Sequence, residues 1–251
     1  MKLPESRKNK DLVRTFVIGD IHGYIHTLKK LLKMIGYIPL KDKIIFIGDY
    51  ISRGPESFLV VKEIMRMVEE EEAIALMGNH EYSLIEFLKS QNPSFDLFFL
   101  HTMGGIEAVE SFLEGVDSNV FNDIQLVKQT IKVKCKNEID FLEMLPYYFE
   151  DNKYIYVHAG VRSGQWKETT NQYDFVWMGE EFFNNPTGVN KVVIFGHTPT
   201  SRISGSKENN HIWFSELGDK IGIDGGCSFP NGQLNALEIS EDGYKKHFIK
   251  E

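Results

Sequence analysis

The first third of the chain alternates between short apolar runs and longer segments with apolar residues at helical spacing. Three apolar runs predict strands: residues 13–18, 43–47 and 73–77. Three segments with apolar residues three or four positions apart predict helices: residues 24–35, 56–69 and 81–89. Repetition of strand and helix in this way predicts parallel βαβ units.

The middle of the chain has a different pattern. Residues 91–145 carry helical spacing and no clear strand, which predicts a helical insertion or cap within a single domain that covers residues 1–251. Five further apolar runs predict that strands return after it: residues 154–157, 192–195, 212–214, 220–223 and 234–239. The last three follow one another without helices, so we expect them to form a second, more antiparallel sheet. Two sheets with helices outside make an α/β sandwich.

Length and charge narrow the classes of function. With 251 residues, of which 42% are apolar and 25% charged, the chain is typical of one large soluble α/β domain. Its 28 basic and 36 acidic residues give a net charge of -8. This balance argues against a broad, non-specific grip on nucleic acid. It does not exclude anionic substrates, because bound divalent metals reverse the local field.

Cysteine content and the N-terminus bear on the compartment. Two cysteines, Cys135 and Cys227, are too few for a disulfide framework and predict part-buried thiols in a reducing compartment. Residues 1–10 are polar and basic, unlike a signal peptide, and no apolar run reaches the roughly 18 residues of a membrane helix. We therefore expect a cytoplasmic protein without a membrane partner. The sequence leaves the oligomeric state open.

Five predicted strands end in a glycine next to a side chain that can bind a metal. The junctions are Gly19-Asp20-Ile21-His22-Gly23, Gly48-Asp49, Gly78-Asn79-His80-Glu81, His158-Ala159-Gly160 and Gly196-His197-Thr198. Glycine allows a sharp turn and a close approach of backbone to a ligand. Sites in α/β sheets form at the carboxyl ends of strands, so we expect the five junctions to converge.

The residue types at these junctions favour a pair of divalent ions. Carboxylate and amide oxygens suit manganese or magnesium, and imidazole suits iron, zinc or manganese. No thiolate is among them, which argues against a structural zinc site. The candidate metal ligands are Asp20, His22, Asp49, Asn79, His158 and His197.

The same motifs resemble the phosphoprotein phosphatase family of metallophosphoesterases. The first three junctions are similar to its three signature motifs. In the second of these, the similarity covers Gly48-Asp49-Tyr50-Ile51-Ser52-Arg53-Gly54. His158-Ala159-Gly160 and Gly196-His197-Thr198-Pro199 are similar to its later histidine motifs. The stretches Ile223-Asp224-Gly225-Gly226-Cys227 and Leu234-Asn235-Ala236-Leu237 are similar to its bacterial members. The resemblance covers residues 16–239.

The resemblance implies a role for each motif residue. Asp20, His22 and Asp49 would hold a first metal, and Asp49, Asn79, His158 and His197 a second, so Asp49 would bridge. A metal-bridging hydroxide would attack phosphorus, and two metals about 3.5–4 Å apart would clamp the displacement. His80 would protonate the leaving group as general acid, and Arg53, with Asn79 and His80, would bind phosphate oxygens. The expected cofactors are two manganese ions, with iron, magnesium or zinc as alternatives.

Two positions depart from the family pattern. Ser52 stands where the family usually has an aspartate that orients the histidine matching His80. The symmetrical dinucleoside tetraphosphate hydrolases of the family also lack that aspartate. We expect Ser52 or another acceptor to fill part of that role, or the substrate to have a better leaving group. Gly179 replaces an arginine that follows Trp177. Arg162 resembles an arginine of many bacterial relatives and is expected to supply the second positive charge.

Three functions remain open. The first is a phosphomonoesterase like the bacterial serine/threonine protein phosphatases, acting on a phosphorylated protein or a small phosphate ester. The second is a hydrolase of dinucleoside polyphosphates such as diadenosine tetraphosphate, which Ser52 favours. The third is a metal-binding scaffold with little turnover, against which the retained His80 and Arg53 argue.

Ordinary structural roles account for other polar residues at the junctions. Glu81 is interpreted as a favourable acid in the first turn of a helix rather than as a catalyst. Asn79 is also a candidate N-cap for that helix. Asp224, beside two glycines, is interpreted as a turn former, with a smaller chance that it contacts a ligating histidine.

Overall fold

The computed structural model describes residues 14–206 and 209–250. The first predicted strand starts at Val13, which lies outside the described residues. In the first sheet the order of strands is β10-β9-β1-β2-β3. These strands are β1 (Thr15–Ile18), β2 (Lys43–Phe46), β3 (Ile74–Ala75), β9 (Gln233–Ser240) and β10 (Gly243–Lys250). β1, β2 and β3 are parallel, whereas β9 is antiparallel to β1 and β10 to β9.

A second sheet has the order β4-β5-β6-β8-β7. Its strands are β4 (Tyr148–Glu150), β5 (Tyr154–Val157), β6 (Val192–Phe195), β7 (Trp213–Phe214) and β8 (Lys220–Gly222). The three central strands are parallel, and the two edge strands are antiparallel to their neighbours. The α/β fold with two sheets is therefore confirmed.

The grouping of the last strands differs from expectation. The run at 234–239 was expected in the second sheet, but β9 pairs with β1 in the first, with Val17 opposite Leu237. The preceding strand, β8, stays in the second sheet, whose core is parallel rather than antiparallel. The strands β4 and β10 have no counterpart among the predicted strands. Pairing between distant segments decides these placements, and local pattern does not reveal it.

Helices connect the strands and cover the outer faces. Those after the first three strands are α1 (Ile25–Met34), α2 (Ser57–Glu71) and α3 (Asn79–Lys89). Those between 91 and 145 are α4 (Pro93–Leu97), a π-helical turn (Phe98–Thr102), α5 (Gly105–Phe112), a 3-10 helix (Ser118–Asn122), α6 (Ile124–Lys134) and α7 (Lys136–Glu143). Short helices follow: α8 (Trp166–Thr169), α9 (Gln172–Trp177), α10 (Glu180–Phe183) and α11 (Thr200–Ile203). The segment 91–145 is thus helical, and its role as a cap stays a prediction.

Alternation along the strands divides the core in two. On β1, Phe16 and Ile18 join the larger apolar cluster together with residues of α1 and α2. Val17, between them, joins a second cluster with Tyr156 and Ile194 of the other sheet. Successive side chains of a strand point to opposite faces, so the second cluster is the layer between the two sheets.

Neither a disulfide nor a membrane-spanning helix is found among the described residues. Cys135 and Cys227 are both buried and form no disulfide. Within residues 14–206 and 209–250, no helix combines the length and apolar character needed to cross a membrane.

Candidate metal centre

The junctions that follow β1, β2, β3, β5 and β6 meet around the carboxylate of Asp49. The Nε2 atoms of His22 and His80 lie 3.6 and 3.7 Å from its Oδ2, and the Nε2 of His158 lies 3.3 Å from its Oδ1. All four side chains are at most 2% exposed. The convergence expected from strand ends is thus present in the structure.

The backbone at three of these positions is in the left-handed region. The φ angles are 50° at His22, 55° at Asp49 and 63° at His197. This conformation is uncommon for residues other than glycine and costs of order 1–3 kcal/mol, so it persists where surrounding structure enforces it. Here it occurs two to four residues after a strand ends, where the chain turns at the edge of the sheet.

Backbone carbonyls orient two of the histidine rings. The Nδ1 of His22 lies 3.0 Å from the carbonyl oxygen of Ile51, and the Nδ1 of His158 lies 2.9 Å from that of Ile47. Donation from Nδ1 to a carbonyl leaves Nε2 with a lone pair that faces the centre, which is the arrangement of a metal-binding histidine. Burial lowers the pKa of His158 to about 3 and that of His22 well below its usual value.

Asn79 makes the most informative contact for a cation. Its Oδ1 lies 2.9 Å from both the Nε2 of His158 and the Nδ1 of His197. With both ring nitrogens unprotonated, three lone-pair atoms meet at this point, and a cation would satisfy them. If the amide is rotated, its nitrogen faces the same atoms and also lies 3.2 and 3.3 Å from the Asp49 oxygens. The oxygen and nitrogen of an amide are distinguished by the partners they face. A bound metal would be contacted by the amide oxygen, so the orientation with Oδ1 toward the histidines is the one that suits a metal centre.

Asp20 adds a second buried carboxylate. Its Oδ2 accepts a hydrogen bond from the backbone N–H of His197 at 3.1 Å, whereas its Oδ1 has no partner among the described residues. Burial raises the pKa of Asp20 well above its usual value, and the charges of Asp224 and Asp49 raise it further. Burial also raises the pKa of Asp49 to about 7. Crowded buried carboxylates of this kind need a compensating cation.

The donors form two overlapping groups. His22, Asp49 and His80 make one, and Asp49, His158 and His197 make the other, with ligand atoms within 4.8 Å of one another in each. Imidazole and carboxylate donors that share Asp49 fit a pair of divalent ions. The residues present therefore suit a dinuclear site. The first group contains His80 rather than Asp20, which was expected there.

Asp224 behaves as the turn former that the sequence indicates. Its Oδ1 accepts a hydrogen bond from the backbone N–H of Gly226 at 2.7 Å. Burial raises the pKa of its carboxyl to about 6. The charge of Asp224 also raises the pKa of Asp20, so the turn lies within electrostatic reach of the candidate metal centre.

Ser52 does not take over the role of the missing aspartate through a hydrogen bond. The Oγ of Ser52 and the Nδ1 of His80 are both buried and have no hydrogen-bond partner among the described residues. Burial lowers the pKa of His80 well below its usual value. Within the described residues, the Nδ1 of His80 therefore lacks an acceptor that would hold the ring and favour its protonated form.

Arg53 lies beside the cluster of candidate metal ligands, and its role in binding phosphate stays a prediction. Its Nη1 donates to the Nε2 of His22 at 2.9 Å and to the Oγ of Ser228 at 3.4 Å. Its backbone N–H donates to the carbonyl of Gly104 at 3.0 Å, at the start of α5. The segment 91–145 thereby helps to hold this arginine.

Arg162 is placed differently from the other candidates. Its Nε and Nη2 donate to the two carboxylate oxygens of Asp174 at 2.6 and 2.7 Å. The two-point contact commits its charge to Asp174 on α9. Gly179, the other departure, lies immediately before α10 and has open space where a side chain would extend.

Glu81 does more than the sequence analysis assigned to it. Its carboxylate accepts hydrogen bonds from the backbone N–H groups of Asp49, Tyr50, Ile51 and Gly78, at 2.8–3.1 Å. Burial and the charge of Asp49 raise its pKa to about 8, and the backbone donors of Asp49, Tyr50 and Ile51 oppose that by favouring the charged form. Glu81 thus fixes the turn that carries Asp49. A glutamate three residues into a helix after glycine signals a capping box, but not a contact with a turn 30 residues away. Asn79 is correspondingly the first helical residue, and Gly78 the N-cap.

Comparison with known proteins agrees with the site. The calcineurin-like phosphoesterase family matches residues 13–224, so the chain belongs to that family and is a metallophosphoesterase, a hydrolase. The resemblance to phosphoprotein phosphatases is confirmed.

Three similar proteins illustrate the range of the family. "Bis(5'-nucleosyl)-tetraphosphatase PrpE [asymmetrical]" of Anoxybacillus flavithermus is 28% identical over 90% of each chain. "Serine/threonine-protein phosphatase 1" of Salmonella typhimurium is 23% identical, over 77% of this chain and 82% of its own. A solved structure described as a putative diadenosine tetraphosphatase has a TM-score of 0.62 and 19% identity, over 96% of this chain and 95% of its own.

Proposed function

We propose that this chain is a two-metal phosphohydrolase that cleaves dinucleoside polyphosphates, with phosphate monoesters as a second class of substrate. The observation that carries the choice of substrate is the environment of His80. Its Nδ1 finds no hydrogen-bond acceptor in the part of the chain that the structure describes, and Ser52 stands where the family has an aspartate. The sequence favours phosphate monoesters first, and the relative named serine/threonine-protein phosphatase 1 supports that class as well.

The ligands we propose are those that the motifs indicate. Asp20, His22 and Asp49 would hold one ion, and Asp49, Asn79, His158 and His197 the other. Two bound divalent ions supply a strong nucleophile from water near neutral pH and neutralise phosphate charge. Glu81 holds the Asp49 turn, and Arg53, 2.9 Å from His22, orients the phosphate to be cleaved.

The leaving group separates the two classes of substrate. Cleavage of a phosphate ester of serine expels an alkoxide, which needs a proton from a well-oriented acid. Cleavage of a polyphosphate expels a nucleotide phosphate, which leaves with its negative charge. General acid catalysis contributes about 10²–10⁴ in rate, so an enzyme whose His80 lacks its partner favours the second reaction.

The comparisons support both classes. The relative from Anoxybacillus flavithermus, matched over 90% of both chains, is named a tetraphosphatase. Because another relative is named serine/threonine-protein phosphatase 1, protein phosphatase activity is the second candidate. We further infer manganese as the native metal, since imidazole and carboxylate donors are mixed, and a cytoplasmic location.

The first test compares three substrates with one preparation. Metal-stripped protein is given back manganese and assayed on diadenosine tetraphosphate, a phosphoserine peptide and an aryl phosphate, with Asp49→Asn as the blank. We expect manganese-dependent cleavage with kcat/KM highest for the dinucleotide. Preference for the phosphopeptide would promote the second candidate. Cleavage of no substrate above the Asp49→Asn background, although metal binds, would leave the scaffold function in place of both.

A further inference from the structure

A groove lies beside the turn that follows Asp224. It encloses about 420 Å³ and is lined by two prolines, two glycines and the side chains of Ser201, Arg202, Asn210 and Phe229. We call it the Arg202 groove. Its volume is within the range of about 300–1,000 Å³ that small-molecule sites have.

Arg53 connects this groove to the metal centre. The same guanidinium that lies 2.9 Å from the Nε2 of His22 also lies 5.1 Å from the ring centre of Phe229. The groove also begins two residues after His197, at Pro199. A substrate whose phosphate contacts Arg53 therefore has the groove as its neighbour.

The charge in the groove favours an anionic ligand. Arg202 is exposed, and its guanidinium makes no ion pair or hydrogen bond with the part of the chain that the structure describes. No acidic side chain is among the described residues that line the groove. The charge of Arg202 also acts on the buried carboxyl of Asp224. Arg202 nevertheless makes no two-point ion pair of the kind that Arg162 makes with Asp174, so its guanidinium fork is open to a phosphate.

The rest of the groove suits a flat ring. Phe229 is 43% exposed and offers apolar ring surface, and Pro199 and Pro230 add apolar faces. Asn210 is held by its Nδ2, which donates to the carbonyl of Asn231 at 3.0 Å, while its Oδ1 accepts no hydrogen bond from a described residue. A fixed acceptor beside aromatic surface is the combination that recognises a base by stacking and hydrogen bonding.

We propose that the Arg202 groove binds the nucleoside end of a nucleoside polyphosphate, with Arg202 on a phosphate outside the metal centre and Phe229 against the base. The proposal rests on the proposed function and adds the residues that select for a nucleotide. A phosphoserine side chain has neither a ring nor a second phosphate and would leave the groove unused. The groove thus gives the chain a basis for selectivity besides the leaving group.

The test measures selectivity and binding separately. Manganese-loaded wild type, Arg202→Ala and Phe229→Ala are assayed on diadenosine tetraphosphate and on an aryl phosphate. We expect the ratio of the two kcat/KM values to fall about tenfold in each variant, mainly through KM for the dinucleotide. Titration calorimetry with AMP should show a dissociation constant weakened about tenfold in the same variants.

Matched controls come from the chain itself. Phe121→Ala removes a phenylalanine on the 3-10 helix that is 43% exposed, as is Phe229. Lys245→Ala removes an exposed cation on β10. Both should keep the wild-type ratio and AMP affinity.

The outcomes separate this proposal from the proposed function. If wild type cleaves both substrates but the groove variants keep its ratio and its AMP affinity, the groove proposal fails alone. If wild type cleaves neither substrate, the proposed function fails. The AMP affinities of wild type and the groove variants then still test whether the groove binds a nucleotide. Equal loss on both substrates in Arg202→Ala would show that the groove acts on catalysis generally and would overturn the selectivity claim.

Discussion

At the scale of single residues, Arg162 and Asp174 form a two-point ion pair whose contribution depends on pH. Contact with Arg162 lowers the pKa of Asp174. We expect Arg162→Ala to lower the free energy of unfolding at pH 7 by about 1 kcal/mol, the upper range for a pair whose arginine is 44% exposed. An unfolded aspartate titrates near 3.9. The contribution is therefore present above about pH 4 and is lost as pH falls through the lower folded pKa.

Urea unfolding of wild type and Arg162→Ala at pH 7 and pH 3 checks this linkage. The difference should be clear at pH 7 and small at pH 3. Asp174→Asn should lose at least as much stability as Arg162→Ala at pH 7, because Asp174 also accepts the backbone N–H of Asn171 at the start of α9. If instead Arg162→Ala unfolds like wild type and raises KM for a phosphopeptide, the arginine contacts substrate, as the sequence suggested, and the pairing account is wrong.

Glu81 is the residue whose removal should disturb the metal centre without touching a proposed ligand. In Glu81→Gln an NH₂ group would face backbone N–H donors, and a buried donor without an acceptor costs about 1–3 kcal/mol. We expect lower stability and manganese affinity weakened about 10–100-fold, the usual effect of losing a group that orients ligands. Calorimetric titration with manganese measures the second effect. Glu107→Gln, an exposed first-turn acid of α5, is the control and should change neither quantity.

At the scale of elements, a buried ion pair joins α4 to α6. The Nζ of Lys128 lies 2.7 Å from Asp96 and 3.0 Å from the carbonyl of Ser90, and both charged side chains are at most 4% exposed. Lys128→Ala would leave the Asp96 charge buried without its partner, which costs about 3–5 kcal/mol. Thermal and urea unfolding should show this loss.

A surface pair on the next helix serves as the control. Lys136 pairs with Asp140 one turn along α7, with side chains 68% and 48% exposed. Lys136→Ala should cost no more than about 0.5 kcal/mol. If the two lysine variants lose similar stability, then the Asp96 carboxyl is accommodated without its partner and the buried pair does not hold α4 to α6.

Elements that the sequence predicted are those with strong local periodicity. The strands β1 and β2 and the helices α1 and α2 appear within a few residues of their predicted bounds because one buried face repeats along each. The strand β10 was missed because most of its side chains are exposed, so no apolar alternation marks it.

Within the site, the sequence predicted what lies on strand ends and missed what depends on long-range contact. Asp49 and His158 each follow an apolar strand and carry a recognisable motif. The hold of Glu81 on the Asp49 turn, and the Arg162 contact with Asp174, depend on how loops meet in space. The local sequence pattern does not predict such contacts, because tertiary packing determines them.

At the scale of the whole molecule, the metal centre lies where the two sheets meet at their carboxyl ends. Asp20, Asp49 and Asn79 follow strands of the first sheet, whereas His158 and His197 follow strands of the second. Asn79 contacts both histidines at 2.9 Å across that boundary. Ions held by both sets of ligands would join the sheets in addition to the apolar layer between them.

Metal binding should therefore stabilise the entire fold rather than one loop. A ligand that binds only the native state stabilises by about 2.7 kcal/mol per site at 100 times its Kd. We expect manganese to raise the Tm of the metal-stripped protein and to slow hydrogen exchange in strands of both sheets, in particular β1 and β6. His197→Ala, which removes a ligand from the second sheet, should reduce the rise in Tm, whereas His101→Ala, an exposed histidine on the π-helical turn, should keep it. Protection confined to the first sheet, with an undiminished rise in His197→Ala, would mean that the ions are held by that sheet alone.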